Sequence, residues 1–391
     1  MRVAIAAESF LPHVNGVTNS VLRVLEHLRA VGHQAVVLAP AAGAPASYAG
    51  FEVVGLPCVP LPGYSQVRVT MSTRPTIARV LADFRPDVVH LASPFALGYR
   101  AAQASRWFGL PVVGVYQTDL PGYARRYGFP AAEPLLWSAL RRIHSLATLN
   151  LAPSSAARTQ LLAAGIGNVE VWGRGVDTER FDPGRRTSRV RAQLCADPDR
   201  PLIGYVGRLA AEKQVADLAV LADLGQLVII GDGPARADLE RVLPNAKFTG
   251  HLGGEDLADA LAAVDVMVHP GELETFGQSI QEALASGVPV IAPASGGPLD
   301  LIRPSHNGWL YRPGDLRSMR DFVADLLGDP RKRLAFAAAA RASVERRRWS
   351  DVCAELVGHY EQAVLRGPAP ALRPLERLRV LTELPPVPVH R

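Results

Sequence analysis

The chain has 391 residues, long for one domain and comfortable for two. Hydrophobic residues make up 48 % and charged residues 20 %, the balance of a folded protein with a sizeable core; no run of about 18 apolar residues suits a membrane span. The net charge of +5 sits in the first half, where residues 1–180 hold 16 Arg and no Lys against 10 acids. That excess suits an anionic surface. Nucleic acid is disfavoured, because aromatics total 6 % and no basic run is interleaved with them. Three cysteines, Cys58, Cys195 and Cys353, lie far apart. They predict neither a disulfide framework nor a zinc site and fit a reducing cytoplasm.

The opening "MRVAIAAESF" is too short for a secretory signal and reads as a first strand. Further strands follow at 35–40, 87–92, 111–116, 147–153 and 169–173. Val17, Val21, Val24, Leu25 and Leu28 recur at helical spacing after Asn15-Gly16. The scheme repeats at 202–207, 227–233, 247–252, 265–271 and 288–294. Continuous β-branched runs predict strands buried on both faces, and helices between them predict parallel sheets. The expected fold class is α/β, with two doubly wound, Rossmann-like domains and ligands at the carboxyl ends of the strands, in a cleft between the domains. The domains are placed at 1–180 and 181–366, the join falling in the polar stretch 173–190. Residues 367–391, with six prolines, form a tail.

In the first half, the glycine of Asn15-Gly16 permits close approach to the backbone, and a helix N-terminus favours an anion; a plain helix cap explains the same residues. In the second half, "GYVGRLAAEKQV" puts Arg208 and Lys213 beyond a buried strand, and Lys213 is one of only three lysines. A bidentate guanidinium and a mobile ammonium suit a diphosphate. "VIIGDGPAR" opens like a dinucleotide fingerprint, but Arg236 stands at the third glycine position, so a hydride-transfer cofactor is not supported. Asp197-Pro198-Asp199 has the look of a metal-binding pair but no strand before it, and reads as a turn.

The stretch "HPGELETFGQSIQEALASGVPVI" carries Glu274 and Glu282, eight positions apart. In this composition chance alone gives about three or four such pairs, so the surroundings must decide. The pair follows a buried strand; a helix is expected to begin near Thr275–Gly277 and to stop at Gly287. Eight residues span about 12 Å of helix axis, the separation of the two ends of a nucleotide-sugar. Glu274 then meets the hydroxyls of the sugar and Glu282 those of the ribose. The diphosphate lies between them against the amides near Phe276 and Gly277.

The elements "FLPHVNGVTNSV", "GRLAAEKQV", "GDGP", "FTGHL" and "ELETFGQSIQE" stand in an order that resembles the retaining GT-B glycosyltransferases of family 4. "VGVYQTDLPGYARRYG" adds a likeness to actinobacterial GDP-mannose-dependent α-mannosyltransferases that act on membrane glycolipids. The resemblance covers most of residues 1–365. It implies that the Gly16 amide contacts the donor diphosphate or the acceptor. Arg208 and Lys213 stabilise the leaving diphosphate, Glu274 holds the transferred sugar, and Glu282 holds the ribose. The nucleobase meets Phe248–Leu252, with His251 among the donor-binding residues, and the final helix crosses back to the first domain. Many members carry Phe-His-Thr where this chain has Tyr116-Gln117-Thr118. Gln117 cannot shuttle protons, and Asp119 is a substitute or a cap. With Asn15, these two are the acceptor-side candidates.

The expected mechanism is front-face transfer with retention, without metal or cofactor, since Arg208 and Lys213 replace a divalent ion. Segment 57–85, with Arg68, Arg74, Arg79 and Arg85, is the expected face toward an anionic inner leaflet, giving a cytoplasmic, peripheral protein. Competing readings are a UDP-sugar donor, a soluble sugar acceptor, or a nucleotide-sugar-binding regulator. Retention of Arg208, Lys213, Glu274 and Glu282 argues against the last.

Overall fold

The computed structural model describes residues 1–13, 15–61, 64–93 and 95–369. Two compact units emerge. The first comprises residues 1–153, 158–172 and the chain from Cys353 onward; the second comprises 154–157 and 173–352.

Among the described residues the first unit holds ten strands: β1 (Arg2–Ala6), β2 (Gln34–Pro40), β3 (Ser47–Tyr48), β4 (Phe51–Leu56), β5 (Cys58–Leu61), β6 (Tyr64–Thr70), β7 (Val88–Leu91), β8 (Val112–Val115), β9 (Leu149–Ala152) and β10 (Val169–Val171). Eight of them form one sheet in the order β10-β9-β8-β7-β1-β2-β4-β3, parallel except for β3. Val3–Ala6 and Val88–Leu91 are buried, as continuous apolar runs require. Among its helices are α1 (Gly16–Ala30), α2 (Arg74–Phe84), α3 (Ala96–Trp107), α4 (Leu120–Arg126) and α5 (Glu133–His144). The predicted face of α1 is observed: Val21, Val24, Leu25 and Leu28 are buried. Strand order reverses between β1 and β7, which makes their carboxyl ends the switch point of this unit.

The second unit holds β11 (Leu202–Val206), β12 (Gln226–Ile230), β13 (Lys247–Gly250), β14 (Val266–Val268), β15 (Val290–Pro293) and β16 (Gly308–Tyr311). They form a parallel sheet in the order β13-β12-β11-β14-β15-β16, the 3-2-1-4-5-6 arrangement of dinucleotide-binding sheets. Alternate residues feed two cores. Leu202, Val206, Val228 and Met267 pack on one face, and Ile203, Tyr205, Ile229 and Val268 on the other. The switch point lies between β11 and β14.

Two expectations change. Strands β3 to β6 and β16 were not predicted: β4 alternates between buried and exposed, and β16 is a half-buried edge strand opening on glycine. The boundary expected at 180/181 falls inside the second unit, whose long continuous stretch begins at Gly173. Residues 174–181 are tied there, with Gln281 donating to the Arg174 carbonyl at 3.0 Å, Val176 bridging to Arg348, and Phe181 in the core. The last helix, Trp349–Arg366, is counted with the first unit from Cys353 on, where the Tyr360 hydroxyl lies 2.6 Å from His90 Nδ1. The Pro-rich tail lies outside the described residues from 370.

Candidate active site

The candidates Arg208, Lys213 and Glu274 lie at the switch point of the second unit. Beyond β11 the chain turns through Arg208 and a short helical turn, Ala211–Lys213. Beyond β14 it turns through Glu274 into the helix Gln278–Ala285. Lys213 Nζ lies 2.7 Å from Glu274 Oε2, joining the two turns. A second tie runs beside it, the Gln214 side chain accepting from the Glu272 amide at 3.1 Å. Beyond β15, the Gly297 amide donates to the Glu274 carbonyl at 2.7 Å. A Cβ at Gly297 would meet the Phe276 carbonyl oxygen at 2.0 Å, so only glycine allows this approach.

Glu274 is held on both oxygens. Oε1 accepts from the Gly277 amide at 3.1 Å and the Phe276 amide at 3.4 Å; Oε2 faces Lys213 and, at 3.4 Å, His269 Nε2. The amides expected to meet a diphosphate are therefore taken up by the carboxylate that precedes them. Burial alone would raise this carboxyl, but Lys213 and then His269 overcome it and hold it well below the usual carboxylate range. The Phe276 ring is buried, so only its backbone faces the turn.

The helix starts at Gln278, later than expected. Gly277 precedes it at φ 100°, outside the helical region, and cannot be its first turn. Glu282 thus lies about one turn inside the helix. It is half-buried, and its Oε1 is 3.4 Å from Gln278 Nε2. Burial pushes its carboxyl up to about 7 against the pull of Gln278, Arg180 and Arg174. Ile280, Ala283 and Leu284 form the predicted buried face, and Gly287 ends the helix, its amide donating to the Leu284 carbonyl.

Arg208 pairs with Glu212 at 2.5 Å, and Glu212 is buried. Arg208's own carbonyl accepts from the Tyr205 hydroxyl at 3.0 Å. His251 is exposed just past β13. The turn at Gly231–Gly233 lies against the Arg208 turn, with the Leu209 amide donating to the Asp232 carbonyl at 2.9 Å. Asp197-Pro198-Asp199 is a turn, the Asp199 amide donating to the Asp197 side chain.

The acceptor-side candidates are engaged differently. Asn15 caps α1, accepting from the Val17 and Thr18 amides at 2.9 and 3.0 Å. Gly16 is the exposed first residue of that helix. Asp119 caps α4 through the Gly122 amide and accepts from the Tyr116 hydroxyl at 3.1 Å and from Gln160 at 3.3 Å. Gln117 is buried and donates to the Ala92 carbonyl at 3.0 Å.

Residues 14–180 match Glycosyltransferase Family 4, and residues 187–343 match Glycosyl transferases group 1. A GDP-mannose-dependent alpha-mannosyltransferase of Mycobacterium tuberculosis is 48 % identical over 92 % of this chain and 96 % of its own length. One of the same name from Corynebacterium glutamicum is 44 % identical over 93 % of this chain and 89 % of its own. The chain belongs to glycosyltransferase family 4. Among solved structures, sucrose-phosphate synthase of Thermosynechococcus elongatus superposes with a TM-score of 0.78 at 21 % identity, over 92 % of this chain and 98 % of that one. This likeness shows the GT-B fold.

In this glycosyltransferase three site features escaped the reading of the sequence. Arg174 is buried; burial lowers its affinity for the proton, and Glu274 and Glu282 oppose that effect. His269 is buried one residue past β14. Glu8, past β1, is a buried carboxylate. It accepts from the Thr70 amide at 3.0 Å and the Leu97 amide at 3.1 Å, which pins β6 and α3 to the switch point of the first unit. Burial raises its carboxyl despite these bonds. A charged or ring-nitrogen residue directly after a buried strand was the available signal in two of the three cases.

Proposed function

We propose that the protein transfers an α-mannosyl group from GDP-mannose to a membrane glycolipid, with retention of configuration and without a metal ion. The observation that carries the reading is the pairing of Lys213 with Glu274, beside the pair of Arg208 with Glu212, at the switch point of the second unit. The relatives at 44 % and 48 % identity supply the donor and the sugar. The acceptor class draws on a 30 % identical relative named as a phosphatidylinositol dimannoside mannosyltransferase, matched over 74 % of this chain.

The residues act through charge and position. Arg208 and Lys213 take the diphosphate, Glu274 takes hydroxyls of the mannose, and Glu282 takes the ribose. The guanine meets the segment around Phe248–Leu252, where His251 is exposed. Lys213 exchanges Glu274 for the diphosphate as the donor binds. The bond from the anomeric carbon to the diphosphate breaks, and the bond to the acceptor oxygen forms on the same face. The acceptor proton passes to the departing phosphate oxygen. The hydrogen bonds of Gln117 and Asp119 to backbone and neighbouring side chains favour this route over a side-chain base.

The same proposal places the protein on the inner face of a membrane as a peripheral protein. Among the described residues no helix is long and apolar enough to cross a membrane. In segment 57–85, Arg74, Arg79 and Arg85 are exposed, as are Val59 and Met71, while Arg68 is half-buried; residues 62 and 63 lie outside the described residues. Cations with apolar neighbours suit anionic lipid. Flotation with anionic vesicles should carry the protein at low salt and lose it at high salt; no dependence on either would contradict the placement.

A UDP-sugar donor is the second reading, favoured by a 34 % identical sulfoquinovosyl transferase of Arabidopsis thaliana matched over 89 % of this chain. The test is product formation on an actinobacterial lipid extract in EDTA. Incorporation of mannose from GDP-mannose is expected. Incorporation from a UDP-sugar alone, or a strict need for Mg²⁺, would overturn the first reading.

A further inference from the structure

His269 has no part in the roles above, yet its ring lies in the middle of them. It stands at the end of β14, where its amide donates to the Ile291 carbonyl at 2.9 Å. Its ring is 1 % exposed and stacks on Tyr205 of β11, with centroids 6.2 Å apart and planes 20° apart. Tyr205 in turn bonds the Arg208 carbonyl. The imidazole is thus fixed between the strand that delivers Arg208 and the turn that delivers Glu274.

Among the described residues, neither ring nitrogen of His269 finds a well-formed hydrogen bond. A buried polar group in that state is uncommon and calls for a cause. Nε2 lies 3.4 Å from Glu274 Oε2, and that oxygen is occupied by Lys213 at 2.7 Å. An N–H donor reaches an acceptor at about 2.9 Å, so the ring is some half an ångström short of a full bond. Two donors wait on one oxygen, and one of them, Lys213, is the cation that the donor diphosphate would attract.

We infer that His269 is a positioning residue for Glu274. Its Nε2–H takes over Oε2 when Lys213 turns to the diphosphate, so that the carboxylate keeps its orientation toward the sugar. This inference rests on the diphosphate role given to Lys213 above. The exchange needs no proton transfer: the imidazole stays neutral, as its burial favours, and only a hydrogen-bond partner changes. Oε1 stays on the Gly277 and Phe276 amides throughout. Without His269, a half-buried carboxylate would lose its cation and turn toward another donor, and the hydroxyls it should meet would find it misaligned.

The test uses three variants of the full chain. His269→Phe keeps the stack on Tyr205 but removes the donor. His269→Leu removes both. His269→Gln restores an amide N–H close to the position of Nε2. The Phe and Leu variants should lower kcat about 10- to 100-fold, the scale of losing a partner that orients a site ligand, while the Kd for GDP stays within about twofold. The Gln variant should recover to within about fivefold of the parent. In a Glu274→Gln background the Phe substitution should cost less than about threefold, because the group it positions is already altered.

A Phe variant with the parent's kcat would overturn the inference. So would an equal loss in the Glu274→Gln background, or a fall in GDP affinity as large as the fall in kcat. Thermal melts identify a variant that fails to fold, and the remaining two then decide. The substrate reading fails separately: if the parent turns over a UDP-sugar instead of GDP-mannose, the same cycle run with that donor still judges His269.

Discussion

The two switch points of the molecule use polar residues in opposite ways. At the first, Asn15 accepts from helix amides and Glu8 chiefly from the Thr70 and Leu97 amides, while Asp119, past β8, caps α4 and also takes the Tyr116 hydroxyl and Gln160. At the second, Lys213 meets Glu274, Arg208 meets Glu212, and His269 waits beside them. Bonds that close on the backbone hold a loop in shape and are lost only with the local fold. Bonds that close on another ionised side chain can be exchanged for a charged ligand. Position at a strand end did not separate the two kinds of residue; the identity of the partner did.

The contrast can be broken most sharply at Glu274. Glu274→Ala should cut kcat by about 10²- to 10³-fold, with little change in melting temperature, as turnover and calorimetry on one preparation would record. Near-normal turnover would remove Glu274 from the site. Lys213→Ala comes next. It should lower the affinity for GDP by roughly 10-fold or more and also turnover, because it loses a charge-assisted contact to the diphosphate.

Glu282 sharpens the comparison through pH. Burial pushes its carboxyl up to about 7, and the ionised form is the better acceptor for ribose hydroxyls. Binding of GDP should therefore release a proton below pH 7. Affinity should rise with pH by up to about tenfold per unit and level off above 7. Titrations between pH 5.5 and 8.5 would measure this. In Glu282→Gln that part of the slope should vanish; an unchanged slope would deny the ribose role.

The smallest effect belongs to the first unit. Asp119→Ala should cost about 1 kcal/mol of stability as a lost helix cap, with kcat within about threefold. A collapse of turnover without loss of stability would make Asp119 a catalytic group after all and erase the contrast.

Much of the fold was legible because short β-branched runs with no alternation, bounded by turn residues, suit strands buried on both faces. The parallel sense of the second sheet followed from helices between such runs. Strand β16 was not legible, since "GWLY" opens on glycine and is half-buried. The cations and carboxylates of the site were legible as residue types after strands. Their pairing was not: Lys213 and Glu274 are 61 positions apart, and nothing local says that they touch. The helix start was misplaced because Gly277 read as a turn residue inside the first turn, whereas its φ of 100° keeps it outside the helix. His269 sat in view beside Glu274, but as the last residue of a buried run it looked like core. Only its distance from Oε2 sets it apart.

The central claim is that the paired charges of the second unit bind a nucleoside diphosphate by changing partners. Calorimetric titration of GDP, UDP and ADP into the parent protein and into Lys213→Ala, all in EDTA, tests it most directly. The account predicts tight binding of GDP alone by the parent, weakened about tenfold or more in the variant. Equal binding of GDP by both proteins, or binding that appears only with added Mg²⁺, would contradict it.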